Sequence, residues 1–240
     1  KQRVEDLYLP YKQKRRTKGE IAKEAGLEPL ARALLADPTL APETAAADYI
    51  DAAKGVADVA AALEGARAIL AEEFSEDPDL TGRLRDYLWE HGVLSSEVVS
   101  GQEEAGAKFS DYFAYSEAIK KIPSHRALAL FRGRKEKVLR LKLDVPAEDV
   151  ASHPCVRMIA AHFGIENRGR PADAWLADLV RYTWQIKALM RLETDLMMRL
   201  REDAEAEAIK VFASNLHDLL LAAPAGPKSV LGIDPGIRTG

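Results

Sequence analysis

Residues Ala172–Ala223 read ADAWLADLVRYTWQIKALMRLETDLMMRLREDAEAEAIKVFASNLHDLLLAA, and this stretch decides the fold class. Leu176, Leu179, Val180, Thr183, Ile186, Leu189, Met190, Leu192 and Leu196 draw one stripe at helical spacing, followed by charges from Arg199 to Glu207. A run this long exceeds an ordinary globular helix, so the pattern predicts two long helices with a break near Glu205. Pro224, Gly226 and Pro227 then stop the helix, and Val230, Leu231, Gly232 and Ile233 read as a strand ending at Asp234, Pro235 and Gly236. A domain boundary is expected at about Ser229.

Composition points the same way. Hydrophobic residues make up 47% of the 240 and aromatics only 7%, which favours helices and leaves enough apolar surface for a core. The expected fold is mainly α, a multihelical scaffold carrying a small β-sheet. A formal net charge of -4 excludes a polybasic protein, so contact with nucleic acid would have to come from a local patch. A single cysteine, Cys155, excludes an intrachain disulfide and a thiolate zinc site, and fits a reducing cytoplasm. No apolar run approaches the length of a membrane span, and Lys1 to Lys18 is too polar for a signal peptide. A chain that starts at Lys1 and stops at Gly240, just past a strand-like run, reads as a piece of something longer.

Upstream, the segment from Leu7 to Lys18 reads as a basic loop. Thr17 and Glu20 stand in capping-box spacing, Gly26 offers a left-handed stop, and Leu27, Leu30, Leu34 and Leu35 give a second apolar stripe, so two short helices meet at a tight turn. Alanine-rich helices follow over residues 45–53 and 56–74, and Pro78 opens another that Gly92 closes. Residues 93–101 and 138–143 have strand character and are expected to pair. Between them Phe109, Tyr112, Phe113 and Tyr115 form an aromatic cluster read as core packing. A helix is expected after Ile122 and Pro123, with Ser124 as its cap and a basic exit at Arg132, Arg134 and Lys135.

Three stretches together resemble the Tex family of bacterial transcription accessory proteins. They are Glu5-Asp6-Leu7-Tyr8-Leu9-Pro10-Tyr11-Lys12 with Lys14-Arg15-Arg16-Thr17, then Ile122-Pro123-Ser124-His125-Arg126-Ala127 with Arg132-Gly133-Arg134, and finally Gly232-Ile233-Asp234-Pro235-Gly236-Ile237-Arg238-Thr239-Gly240. The resemblance implies a helical region over residues 1–228 leading into an RNase H-like (YqgF) domain, of which residues 229–240 would be the opening strand. It further implies helix-hairpin-helix elements and an OB-fold RNA-binding domain beyond this chain.

Among candidate sites the basic segment comes first. Lys12, Lys14, Arg15, Arg16 and Lys18 place five cations in seven residues beside Tyr8 and Tyr11, a mixture suited to the phosphates and bases of RNA or DNA. A helix-turn-helix over residues 17–36 fits Ala22 and Gly26, but its second helix carries only Arg32 as an exposed cation, so an ordinary helical hairpin is the better reading. Asp234 is the one candidate catalytic residue, the first carboxylate of an RNase H-like metal site in a nuclease or resolvase. With a single such carboxylate the chain is not expected to be an enzyme. His125 and the other histidines show no metal-ligand spacing, and no cofactor motif is present. Arg132, Arg134 and Lys135 read as the charge complement of a helix C-terminus. RNA or DNA is the expected partner, with RNA polymerase or the ribosome as an alternative, and no membrane.

Overall fold

Short capped helices build the N-terminal half. In the structure, a computed structural model that describes residues 2–8, 16–149, 152–224 and 226–233, the chain opens with α1 (Gln2–Tyr8), so the part of the expected loop up to Tyr8 is helical. Residues 9–15 lie outside the described residues. Helix α2 (Lys18–Glu24) starts at the expected capping box: Thr17 Oγ1 accepts from the Glu20 N–H at 3.1 Å, and the Glu20 carboxylate accepts from the Thr17 N–H at 3.0 Å. Gly26, at φ +87°, turns the chain into α3 (Glu28–Ala36). The Leu27 N–H donates to the Ala22 carbonyl and the Gly26 N–H to that of Lys23, the two bonds of a Schellman turn.

Helix α4 (Pro42–Ala47) is earlier and shorter than the helix expected over 45–53. The Asp51 carboxylate accepts from the Ala53 N–H at 3.0 Å, and Asp51 pairs with Val56, so this stretch closes on itself as a tight turn. Asp58 and Asp77 then cap α5 (Val59–Glu76) and α6 (Pro78–His91). Helix α5 is the hub, packing against α2, α3, α4 and α9 (Asp173–Tyr182). Ala62, Ala66, Ile69 and Leu70 line its buried side, and the alanines let neighbouring helices approach closely.

Gly92 ends α6 and leads into the sheet, whose strands β1 (Val93–Val98), β2 (Ala114–Ala118) and β3 (Leu139–Asp144) are antiparallel in the order β2-β1-β3. The expected pairing of the first and last is present, with Leu94 opposite Leu143, and β1 stops at Val98 before a turn at Gly101. Strand β2 was not expected; its sequence AYSEA is too short and polar to stand out. Phe109 is buried and Tyr112, Phe113 and Tyr115 pack half-buried against the core, so the aromatic cluster is packing. Helix α7 (Ser124–Lys135) begins at Ser124 itself, with Pro123 in the cap position and no side-chain cap, so Ser124 does not cap as expected. A Cβ on Gly133 would lie 2.5 Å from Leu139 Cδ1; the glycine lets α7 rest on β3.

Helix α8 (Pro154–His162), unforeseen in the sequence, is capped by His153, whose Nδ1 accepts from the Cys155 N–H at 3.2 Å. Asp173 staples the loop before α9: its carboxylate accepts from the backbone N–H groups of Arg168 and Arg170 at 2.7 and 2.8 Å and from Arg170 Nε at 3.0 Å. The Arg170 side chain, against the opposing effect of burial and with help from the backbone donors, holds the Asp173 carboxyl down to about 2. A depressed carboxylate contributes stability above its unfolded value of about 4 and loses it as pH falls toward the folded value. The stability gap between the parent and Asp173→Asn should therefore shrink as pH falls from 5 to 2, read as Tm at each pH. A gap constant over that range would contradict this.

From α9 the chain continues through a π-helical turn, Thr183–Ala188, into α10 (Leu189–Leu220). No break occurs near Glu205; the irregularity lies some twenty residues earlier. Ile186 and Met190, placed on the buried stripe by helical spacing, are 56% and 71% exposed, and Trp184 and Ala188 take their place. The π turn carries one residue more per turn than an α-helix, so the buried phase slips along the sequence. Beyond Ala204 the helix leaves the core, and Ile209, Phe212 and Leu216 are exposed. Residues 230–233 form no strand: Val230, Leu231 and Ile233 are exposed and, among the described residues, no neighbouring strand offers a ladder.

Candidate functional site

The first candidate, the basic segment, is held at both ends. On its N-terminal side, Asp6 of α1 is 6% exposed and receives both terminal nitrogens of Arg85 from α6, at 2.7 and 2.8 Å. One of these nitrogens also donates to Asp195 of α10 at 3.1 Å. Burial disfavours the Arg85 charge, but hydrogen bonds and attraction from Asp6 and then Asp195 outweigh it and raise its pKa above the ordinary arginine value. Arg191, one helical turn before Asp195, donates to the Ser75 carbonyl and to Thr81 Oγ1, and burial lowers its pKa. The Nε atoms of Arg85 and Arg191 are buried and, among the described residues, without hydrogen-bond partners.

Of the five cations in the segment, Lys12, Lys14 and Arg15 lie outside the described residues, as does Tyr11. Arg16 pairs with Glu24, and Lys18 with Glu64 at 3.2 Å, both on the surface. Asp234 also lies outside the described residues.

The candidate helix-turn-helix is formed by α2 and α3, both of which pack on α5. Arg32, the one cation of its second helix, is gripped by both Glu73 oxygens at 2.8 and 2.7 Å and approached by Glu28 at 3.3 Å. A groove of about 450 Å³ beside α2 is lined by Glu20, Glu72, Glu73, Glu76 and Asp77, with Lys23. An acidic surface with its arginine neutralised is the wrong chemistry for a phosphate-lined groove. Burial, with Asp144 nearby, pushes the Cys155 thiol up to about 12, so it is a packing residue and no nucleophile at neutral pH.

The opposite charge collects around α7 and β3. Between Ile119 and Leu143 nine lysines and arginines face Glu136 as the single acid, in a chain whose total is -4. Four are paired: Lys120 with Glu90, Arg126 with Glu117, Arg132 with Glu136, and Lys142 with Asp144. Lys121, Arg134, Lys135, Lys137 and Arg140 are exposed and, among the described residues, have no ion pair. Reading Arg132, Arg134 and Lys135 as a helix-end charge complement accounts for one turn, since all three fall in the last turn of α7. It leaves Lys137 and Arg140 over. The signal was present as a local charge excess, hidden because these residues are spread over a helix, a turn and a strand.

A groove of about 890 Å³ runs between the end of α7 and α10, with Leu128, Phe131, Met197 and Met198 as its apolar lining and Arg134 and Lys135 at its edge. Its acids are engaged: Glu136 with Arg132 and Lys108, Glu193 with the Leu143 N–H at 2.9 Å, and Glu205 with Arg201 at 2.7 Å. Lys108, followed by Arg132, holds the Glu136 carboxyl below the usual range.

Known proteins place this architecture. Residues 37–212 match the family described as Tex central region-like. The chain is 57% identical to protein YhgF of Escherichia coli K12 and 53% identical to protein tex of Bordetella pertussis, in each case over 100% of its own length and 31% of the relative's. It is 31% identical to human S1 RNA-binding domain-containing protein 1, over 99% of its length and 24% of that protein. The chain thus spans about a third of the length of the bacterial relatives, and with the family region covering most of its helices, it belongs to the Tex family.

Proposed function

We propose that this chain is the helical scaffold of a nucleic-acid-binding transcription accessory factor, and that its own role is non-catalytic. The observation that carries the reading is the placing of the basic segment. Four of its five cations, Lys12, Lys14, Arg15 and Arg16, stand in the sequence between α1, clamped through Asp6, and the capping box at Thr17, and the fifth, Lys18, opens α2. A short charged segment tied at both ends contacts phosphates with less conformational entropy to lose than a free tail. The names of two relatives, transcriptional accessory protein Tex of Neisseria gonorrhoeae and human S1 RNA-binding domain-containing protein 1, agree with a nucleic-acid role.

The test is charge reversal of Arg15 and Arg16 to Glu, with affinity for RNA and DNA measured against salt. The reading expects weaker binding and a shallower dependence of log K on log salt, since fewer counterions are released. Affinity and slope equal to the parent's would sink the contribution of this segment.

A further inference from the structure

The positive face around α7 is a second candidate surface, separate from the basic segment. We propose that the α7–α10 groove, together with the turn into β3, binds a single-stranded nucleic acid, phosphates on Arg134, Lys135 and Lys137 and bases on Phe131 and Met198. The inference rests on the nucleic-acid reading above and gives it a specific location.

Three observations converge. The first is charge: these three cations are exposed and carry no ion pair among the described residues, while the groove's acids are already engaged, Glu136 and Glu205 by its own Arg132 and Arg201 and Glu193 by the Leu143 N–H. Unpaired surface cations in series are what a phosphate chain neutralises on binding. The second is the lining. Phe131 is half-buried in the groove and Met198 is 56% exposed beside it, offering flat or adaptable apolar surface next to the cations. Unstacked bases use such surface, whereas a duplex hides its base faces and would leave these side chains without a partner. A single strand is therefore the occupant that uses both halves of the groove.

The third is backbone conformation. The turn after α7 has the same hydrogen bonds as the one after α2: the Val138 N–H donates to the Gly133 carbonyl and the Lys137 N–H to that of Arg134. So does the turn after α8, where Gly164 adopts φ +65°. In two of these turns the left-handed position is glycine; in the third it is Lys137, at φ +62°. A lysine there is more strained than glycine. The turn itself does not need a side chain, so the charge of Lys137 is what the strain retains.

The experiment compares the chain with the triple variant Arg134→Gln, Lys135→Gln, Lys137→Gly, using a 20-nucleotide single-stranded RNA, the matching DNA and a DNA duplex. The variant should bind single strands about tenfold or more weakly, with a salt slope smaller by about 2, from roughly 0.7 per lost phosphate contact. Lys137→Gly alone should weaken binding while leaving Tm unchanged or higher, which separates lost contact from lost fold. A photoactivatable single strand should crosslink to the tryptic peptide Ala127–Arg132, which contains Phe131. Parent-like binding by the triple variant overturns this site, and if the Arg15 and Arg16 reversal still weakens binding, the wider nucleic-acid reading survives. Tighter binding of duplex than of single strand overturns the proposed occupant. No binding by the parent to any probe overturns both.

Discussion

Arg85→Ala should cost about 3–5 kcal/mol, the usual penalty for removing one member of a buried ion cluster and leaving the others uncompensated. The stranded groups are Asp6, nearly out of solvent, and Asp195, about a quarter exposed. With a urea dependence of about 1–3 kcal/mol per molar, the midpoint should fall by about 1–5 M, at unchanged slope. Arg85→Lys should recover only a small part, because a point charge cannot grip both oxygens of Asp6 while reaching Asp195. Hydrogen exchange gives an independent readout: the amides of α1 should lose protection first, since this clamp is its principal polar anchor. A loss under about 1 kcal/mol would mean that the cluster is not stabilising.

Deleting Gln185, an exposed residue of the π turn, should be worse still. Without the extra residue the turn closes into α-helix, and everything after it rotates by about 100° relative to α9, one residue's share of a 3.6-residue turn. Leu192, Leu196 and Leu200, all buried now, would swing out of the core. At about 1.5–3 kcal/mol for each buried leucine, the loss matches much of the stability of an ordinary domain. The deletion variant should lack a cooperative melt by circular dichroism at 25 °C and above. A sharp transition within a few degrees of the parent's Tm would show that α10 finds another register.

The contrast between these two regions shows what was legible in the sequence. Local rules were readable: the Thr17–Glu20 box, the Gly26 turn, Pro78 at a helix start and Gly92 at its end all depend on residues within a turn of one another. The helical class was readable from composition, and the β1–β3 pairing from alternation. The phase slip at Thr183–Ala188 was not, because a π turn leaves no mark in a pattern read at 3.6 residues; only the burial of Trp184 in place of Ile186 reveals it. Strand β2 was missed because it is polar and short, and the 230–233 strand was expected because an apolar run does not say whether a partner strand is near.

Site residues divide in the same way. The basic segment was conspicuous because its cations are consecutive, yet Arg16 and Lys18 are both paired. The α7–β3 cations attract little notice in sequence, since Arg132, Arg134 and Lys135 look like a helix end and Arg140 like one residue of a strand. Only the fold sets Arg132, Arg134 and Lys135 beside one groove, and only the ion-pair pattern distinguishes free charges from neutralised ones. The Asp6–Arg85–Asp195 cluster was invisible for a simpler reason: its members are separated by 79 and 110 residues.

The outer half of α10 gives the clamp a mechanical meaning. Sixteen residues from Glu205 to Leu220 extend past the last buried turn, an arm of about 24 Å at 1.5 Å per residue. Asp195 and Arg191 fasten the same helix to α6 and the end of α5 further back, before Leu196, Leu200 and Ala204 are buried on the way to the arm. A tilt of about 5° at the root would carry the tip through about 2 Å by that geometry. The buried charge cluster is thus a fulcrum, and small repacking around Arg85 would be amplified along the arm into displacement of whatever the helix bears.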